Sequence, residues 1–103
     1  RVPPFAAAAK LGAYHAAEIA YVFDNLDLLP RAFNETDKQL AEAMSNYWVN
    51  FAKTGNPNGP GLTNWPRYDA QKDVIFDFRG DGTQAAVPDP WVDLWPKQRA
   101  WAA

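Results

Sequence analysis

The sequence has no cysteine, which excludes disulfides, thiolate metal sites and cysteine nucleophiles. Its single histidine is His15, so no mechanism can draw two imidazoles from this chain. Its single serine is Ser45. Neither sign of charge is in excess: 10 Lys and Arg face 12 Asp and Glu, for a formal net charge of -2. No stripe of basic residues is available to neutralise phosphates, which excludes a polybasic nucleic-acid binder. No apolar run approaches the roughly 20 residues of a membrane span. Ala6 to Ala9 is short and follows Pro3-Pro4, unlike the apolar stretch of a signal peptide. Internal repeats and low-complexity segments are missing too.

What is present fits one domain over residues 1–103. Aromatic residues make up 15% of the chain, high for this length. A domain this small buries only about two thirds of its unfolded surface. The rings therefore fill an unusually aromatic core or lend surface to something else. Arg1 stands where an initiator Met would, which suggests a chain cut from a longer polypeptide.

The elements read as mostly helical. Residues 1–14, with Pro3, Pro4 and Gly12, read as irregular. Ala16 to Phe23 places Ile19, Val22 and Phe23 on one side of a short helix. Residues 24–34 read as loop. Asp37 to Lys53 is the clearest helix, with Leu40, Met44, Tyr47, Trp48 and Phe51 at helical spacing. Thr36 with Gln39 has the form of a capping box, and Gly55 is the stop signal. Residues 56–69 read as loop, anchored by Trp65 and Tyr68. Val74 to Phe78 is a lone strand, ended by Arg79-Gly80-Asp81-Gly82. Asp89-Pro90 opens a last helix striped by Trp91, Leu94 and Trp95, with a break expected at Pro96. A lone strand cannot form a sheet, which again suggests further chain.

His15 lies at a loop-to-helix join, with Glu18 three residues on. From spacing alone, the imidazole fits a general base or a merely structural, exposed side chain. A metal site lacks further His or Cys ligands. Ser45 sits mid-helix, with no Gly-x-Ser-x-Gly elbow to present its hydroxyl. Asp77 to Gly82 fails as a calcium loop, because Arg79 holds a ligand position and Pro88 stands where a bidentate Glu is needed. Arg79-Gly80-Asp81 reads as a turn, and Asn34-Glu35-Thr36 is a formal glycosylation sequon. The Tyr47, Trp48, Phe51 stripe reads as core rather than as a ligand platform.

Three blocks in order alter this picture. Residues 12–23 (GAYHAAEIAYVF) are similar to the G-x-x-H-x-x-E segment of the type-B carboxylesterases, the cholinesterase and para-nitrobenzyl esterase group of the α/β-hydrolases. AMSNYWVNFAKTGNPN resembles the long helix of that family ending in Y-W-x-N-F-A-x-x-G-x-P-N. NWPRYD resembles its W-P-x-Y-D block. Val74 to Trp101 fits more loosely, and the Pro96 break has no counterpart. The resemblance implies the C-terminal part of an α/β-hydrolase domain, seen in isolation as mostly helical with one or two short strands. It implies that His15 is the catalytic imidazole. The nucleophilic Ser and the acid of the triad would lie upstream. Glu18 takes a supporting or structural role, and Tyr14 and Phe23 fall near the acyl or alcohol pocket.

On that resemblance, the full-length parent is a serine carboxylesterase acting on small carboxylic esters, with no cofactor and no metal. The segment alone is inactive. Its partner is the N-terminal remainder of the same enzyme, and in isolation it is expected to self-associate. The rival expectation is a stand-alone or non-catalytic interaction module using the Tyr47, Trp48, Phe51 face. Bacterial cytoplasmic and exported locations both fit.

Overall fold

A proline at the first helical position costs little, because its missing N–H would have no partner there. In the computed structural model, which describes residues 1–90, Pro4 starts a helix on this principle: α1 spans Pro4–Ala8, where the composition reads as irregular. Further on, Ala16 is left-handed at φ 67, a conformation that costs a non-glycine residue about 1–2 kcal/mol. A helix cannot run through it. The second helix, α2, therefore starts beyond it and covers only Ile19–Val22. Asp24, at φ 48, turns the chain into a single 3₁₀ turn at Leu26–Leu28, within the stretch that reads as loop.

Helix α3 spans Glu35–Thr54. Its cap is Asn34, not Thr36. The Asn34 side chain accepts from the Asp37 N–H at 3.0 Å, and the Asp37 carboxylate accepts from the Asn34 N–H at 3.0 Å. Both registers have the right residue types. The one observed also delivers Asp37 to Arg1 and Tyr21, which the other would not. At the far end Gly55 is left-handed at φ 75, and its N–H bonds the Phe51 carbonyl at 2.8 Å. Most side chains could not adopt that conformation cheaply.

Val74 to Phe78 is a strand, as its apolar alternation predicts, but it is not alone. β1 (Val74–Phe78) pairs antiparallel with β2 (Gln84–Pro88), with Val74 opposite Pro88 and Phe78 opposite Gln84. The Ala-rich β2 sequence has little strand preference of its own. The turn between the strands imposes it. Arg79 donates to the Thr83 carbonyl at 2.8 Å, and Asp81 accepts from the Thr83 N–H at 2.9 Å. The Arg-Gly-Asp tripeptide is part of this turn. The expected last helix lies in 91–103, outside the described residues.

Two clusters of side chains hold these elements together. Tyr21, Leu26, Leu40, Ala41 and Met44 form the first, with Phe33 and Phe78 packed against it. It joins α2 to the first half of α3. The second is aromatic. Trp65 stacks on Phe76 with centroids 4.6 Å apart, and Tyr47 meets both rings edge-on at 5.5 Å. The Tyr47 hydroxyl donates to the Thr63 carbonyl at 2.6 Å. The Asn58 side chain bonds both main-chain groups of Trp65, accepting at 2.6 Å and donating at 2.9 Å. The loop at 56–69 is thus pinned, as Trp65 suggests. The α3 stripe divides, however: Tyr47 is fully buried, while Trp48 is 42% and Phe51 59% exposed. Trp48 still reaches Trp65 at 6.0 Å.

Candidate active site

His15 sits in a tight turn. The Ala17 N–H bonds the Tyr14 carbonyl at 3.1 Å, and the Ile19 N–H bonds the Ala16 carbonyl at 3.3 Å. The left-handed Ala16 follows directly, so the chain reverses as soon as it has presented the imidazole. His15 is exposed, and its side chain has no hydrogen bond or ion pair with any described residue. Glu18 is exposed at the start of α2 and makes no side-chain cap bond. The two sit in one turn but are not bonded to each other. Tyr14 is half-buried, its ring against Phe5 at 6.3 Å. Phe23, at the end of α2, is 71% exposed. Ser45 lies within the regular helix α3, as its setting predicts.

Near the turn in sequence, Leu11, Ile19, Phe23 and Leu28 are all exposed. A groove of about 980 Å³ lies along α3, lined by residues that include Trp48, Phe51, Trp65, Pro66 and Tyr68. None of the four candidate site residues lines it. No cluster of three or more His, Cys, Asp or Glu that could hold a metal occurs among the described residues. Nor is any described helix long and apolar enough to cross a membrane.

The most constrained polar group lies behind the turn. Asp37 is the buried charged residue of the described chain, with zero exposure. Its Oδ1 accepts from Arg1 Nε at 2.7 Å and from the Tyr21 hydroxyl at 2.9 Å. Arg1 also donates to Asn34 Oδ1 at 3.1 Å and to the Gly80 carbonyl. Burial alone would push the Asp37 carboxyl up. The hydrogen bonds from Arg1, the Asn34 N–H and Tyr21, with the Arg1 charge, outweigh it and hold the carboxyl below its ordinary value. The Tyr21 hydroxyl is pushed well up, first by burial and then by its bond to the Asp37 carboxylate. Sequence reading missed this group, because Arg1 and Tyr21 lie 36 and 16 residues from Asp37. No local pattern marks such a pairing.

The fold of the chain has counterparts in solved esterases. A PNB esterase superposes with a TM-score of 0.70 at 30% identity, over 84% of this chain and 18% of that one. A carboxylesterase of Geobacillus stearothermophilus superposes at 0.64 with 32% identity, over 87% of this chain and 19% of that one. The fold is therefore part of an α/β-hydrolase. The model of the carboxylesterase family matches residues 2–91, and the chain belongs to that family as a type-B carboxylesterase segment. Carboxylesterase 1D of Rattus norvegicus is 40% identical over 88 residues, 84% of this chain and 15% of that protein. A medium-chain fatty acyl-CoA hydrolase precursor of Anas platyrhynchos is 49% identical over 55 residues, 53% of this chain and 10% of that protein. The chain thus spans a small part of the relatives it matches.

Proposed function

We propose that this chain is the C-terminal part of a serine carboxylic ester hydrolase and supplies its catalytic imidazole through His15. The carrying observation is that the one histidine stands exposed on a tight turn, unbonded to any described side chain, within the residues the family model matches. The nucleophile and the triad acid belong to polypeptide outside this chain. So do the backbone N–H groups that would stabilise the oxyanion.

The chemistry has two matched steps. The seryl oxygen attacks the ester carbonyl carbon while the His15 imidazole takes its proton. The tetrahedral oxyanion collapses, the carbon–oxygen bond to the alcohol breaks, and the imidazolium protonates the departing alkoxide. Water then attacks the acyl-enzyme, His15 takes the water proton, and the acid leaves as that proton returns to the serine. Glu18 supports the turn without bonding the ring. Tyr14 and Phe23 flank the substrate, a small carboxylic ester. The main partner of the chain is the remainder of the enzyme, which covers the exposed apolar side chains near His15 in sequence and along α3.

His15→Ala in the complete enzyme tests this. Hydrolysis of p-nitrophenyl acetate should fall at least about a thousand-fold while the thermal melt is unchanged. Undiminished turnover would remove His15 from the mechanism.

A further inference from the structure

The tie between Tyr21 and Asp37 is more than α3 needs for its start. A capping box uses one carboxylate oxygen at the third helical position, and Asp37 Oδ2 fills that role by accepting from the Asn34 N–H at 3.0 Å. Oδ1 is left over. It is spent on Arg1 and on the Tyr21 hydroxyl, at 2.7 and 2.9 Å. The second of these bonds reaches across to α2, the element that follows the His15 turn.

Besides the packing of half-buried Ala20 and Val22 against the first cluster, that turn has little else to hold it. From His15 to Ala20 no side chain is buried, and Tyr21 is the first that is. Helix α2 is four residues long and has no side-chain cap. A single helical turn does not persist in water on its own. Its main-chain ladder is nevertheless continuous with the turn: Ile19 N–H to Ala16 carbonyl at 3.3 Å, Val22 N–H to Glu18 carbonyl at 2.9 Å, Phe23 N–H to Ile19 carbonyl at 3.1 Å. A rotation of α2 about its axis would carry the imidazole with it. Ring contacts fix the depth of Tyr21, with Phe33 edge-on at 6.0 Å. The hydroxyl bond fixes its rotation.

We infer that Asp37 is a positioning residue for His15, acting through the Tyr21 hydroxyl, a role beyond that of helix cap and ion-pair partner. The inference rests on the reading of His15 as the proton carrier. Asp37 touches neither substrate nor imidazole; it sets the angle at which α2 delivers the ring.

The test uses the complete enzyme and p-nitrophenyl acetate. Tyr21→Phe deletes the hydroxyl and keeps the ring. It should lower kcat about ten-fold with KM nearly unchanged, since an ångström of misplacement costs up to about a hundred-fold. Asp37→Asn keeps an acceptor oxygen for Tyr21 and should retain most of kcat, whereas Asp37→Leu should not. In the Tyr21→Phe background, Asp37→Leu should add little further loss of kcat per titratable site. Thermal melts and active-site titration by a phosphonate ester report the fraction of folded, competent enzyme for each variant. Wild-type kcat in Tyr21→Phe, with His15→Ala inactive, would overturn the positioning role and leave the base reading intact. A kcat loss that matches the loss of titratable enzyme would mark a purely structural bond and overturn it as well. Full turnover in His15→Ala would instead remove the reading on which the inference rests.

Discussion

At the scale of the residue, the molecule depends on a carboxylate that water does not reach. Asp37 is ionised because Arg1, Tyr21 and the Asn34 N–H replace the water it has lost. Its folded value lies below that of the unfolded chain, about 4. The stability this contributes is therefore complete above about pH 4 and is lost as pH falls through the folded value. In the complete enzyme, acid unfolding followed by tryptophan fluorescence should show a steep limb below about pH 4. Asp37→Asn should flatten that limb, at the cost of lower stability at neutral pH. An unchanged acid limb in Asp37→Asn would show that other carboxylates govern acid unfolding. Residues this far apart could not be paired from sequence, where Arg1 signals only the lack of a Met. The role proposed for His15 comes from the block in which it sits. The physics around it is neutral, since an exposed, unbonded imidazole carries no signature of its task.

At the scale of the element, legibility follows periodicity. Helix α3 and β1 announce themselves by apolar spacing, and the structure keeps both. Elements whose identity comes from a neighbour are hidden: β2 is Ala-rich and becomes a strand only against β1, and α1 opens on a proline pair that also reads as a break. The left-handed Ala16, which shortens α2, is equally silent, because alanine gives no hint of positive φ. The hairpin turn offers a sharp test. Gly82 is left-handed at φ 86, and a Cβ there would fall 2.6 Å from Thr36 Cγ2 in the first turn of α3. Gly82→Ala should therefore cost about 1–3 kcal/mol, through both strain and crowding. The urea midpoint of the complete enzyme measures it. The double variant Gly82→Ala, Thr36→Ser removes the methyl and should recover the crowding share alone.

At the scale of the whole molecule, the described residues form two joined clusters and leave much aromatic ring exposed. The aromatic excess in the composition divides accordingly. Tyr47, Trp65 and Phe76 make an aromatic cluster joined to the first through Phe78, which sequence spacing could not show because the partners come from loop and strand. Trp48 and Phe51 remain exposed and line a groove of about 980 Å³, and Phe23 is exposed apart from it. Such a contiguous apolar surface favours association. The 103-residue chain prepared alone should sediment as dimers or larger species at micromolar concentration, and should hydrolyse no p-nitrophenyl ester. A stable monomer by sedimentation velocity would count against the surface being one that the rest of the enzyme covers.

The guanidinium of Arg1 meets the helix cap at Asn34 and Asp37 and also the Gly80 carbonyl, 79 positions along the chain. Loops of that span close late, since their entropy must be overcome before the contact gives anything back. During synthesis, therefore, the early residues of this segment wait for the hairpin to leave the ribosome. Until it does, the clasp is missing one of its arms. Arrested nascent chains ending before Gly80 should be cut readily by protease near residues 10–25, and chains extending well past Pro88 should resist.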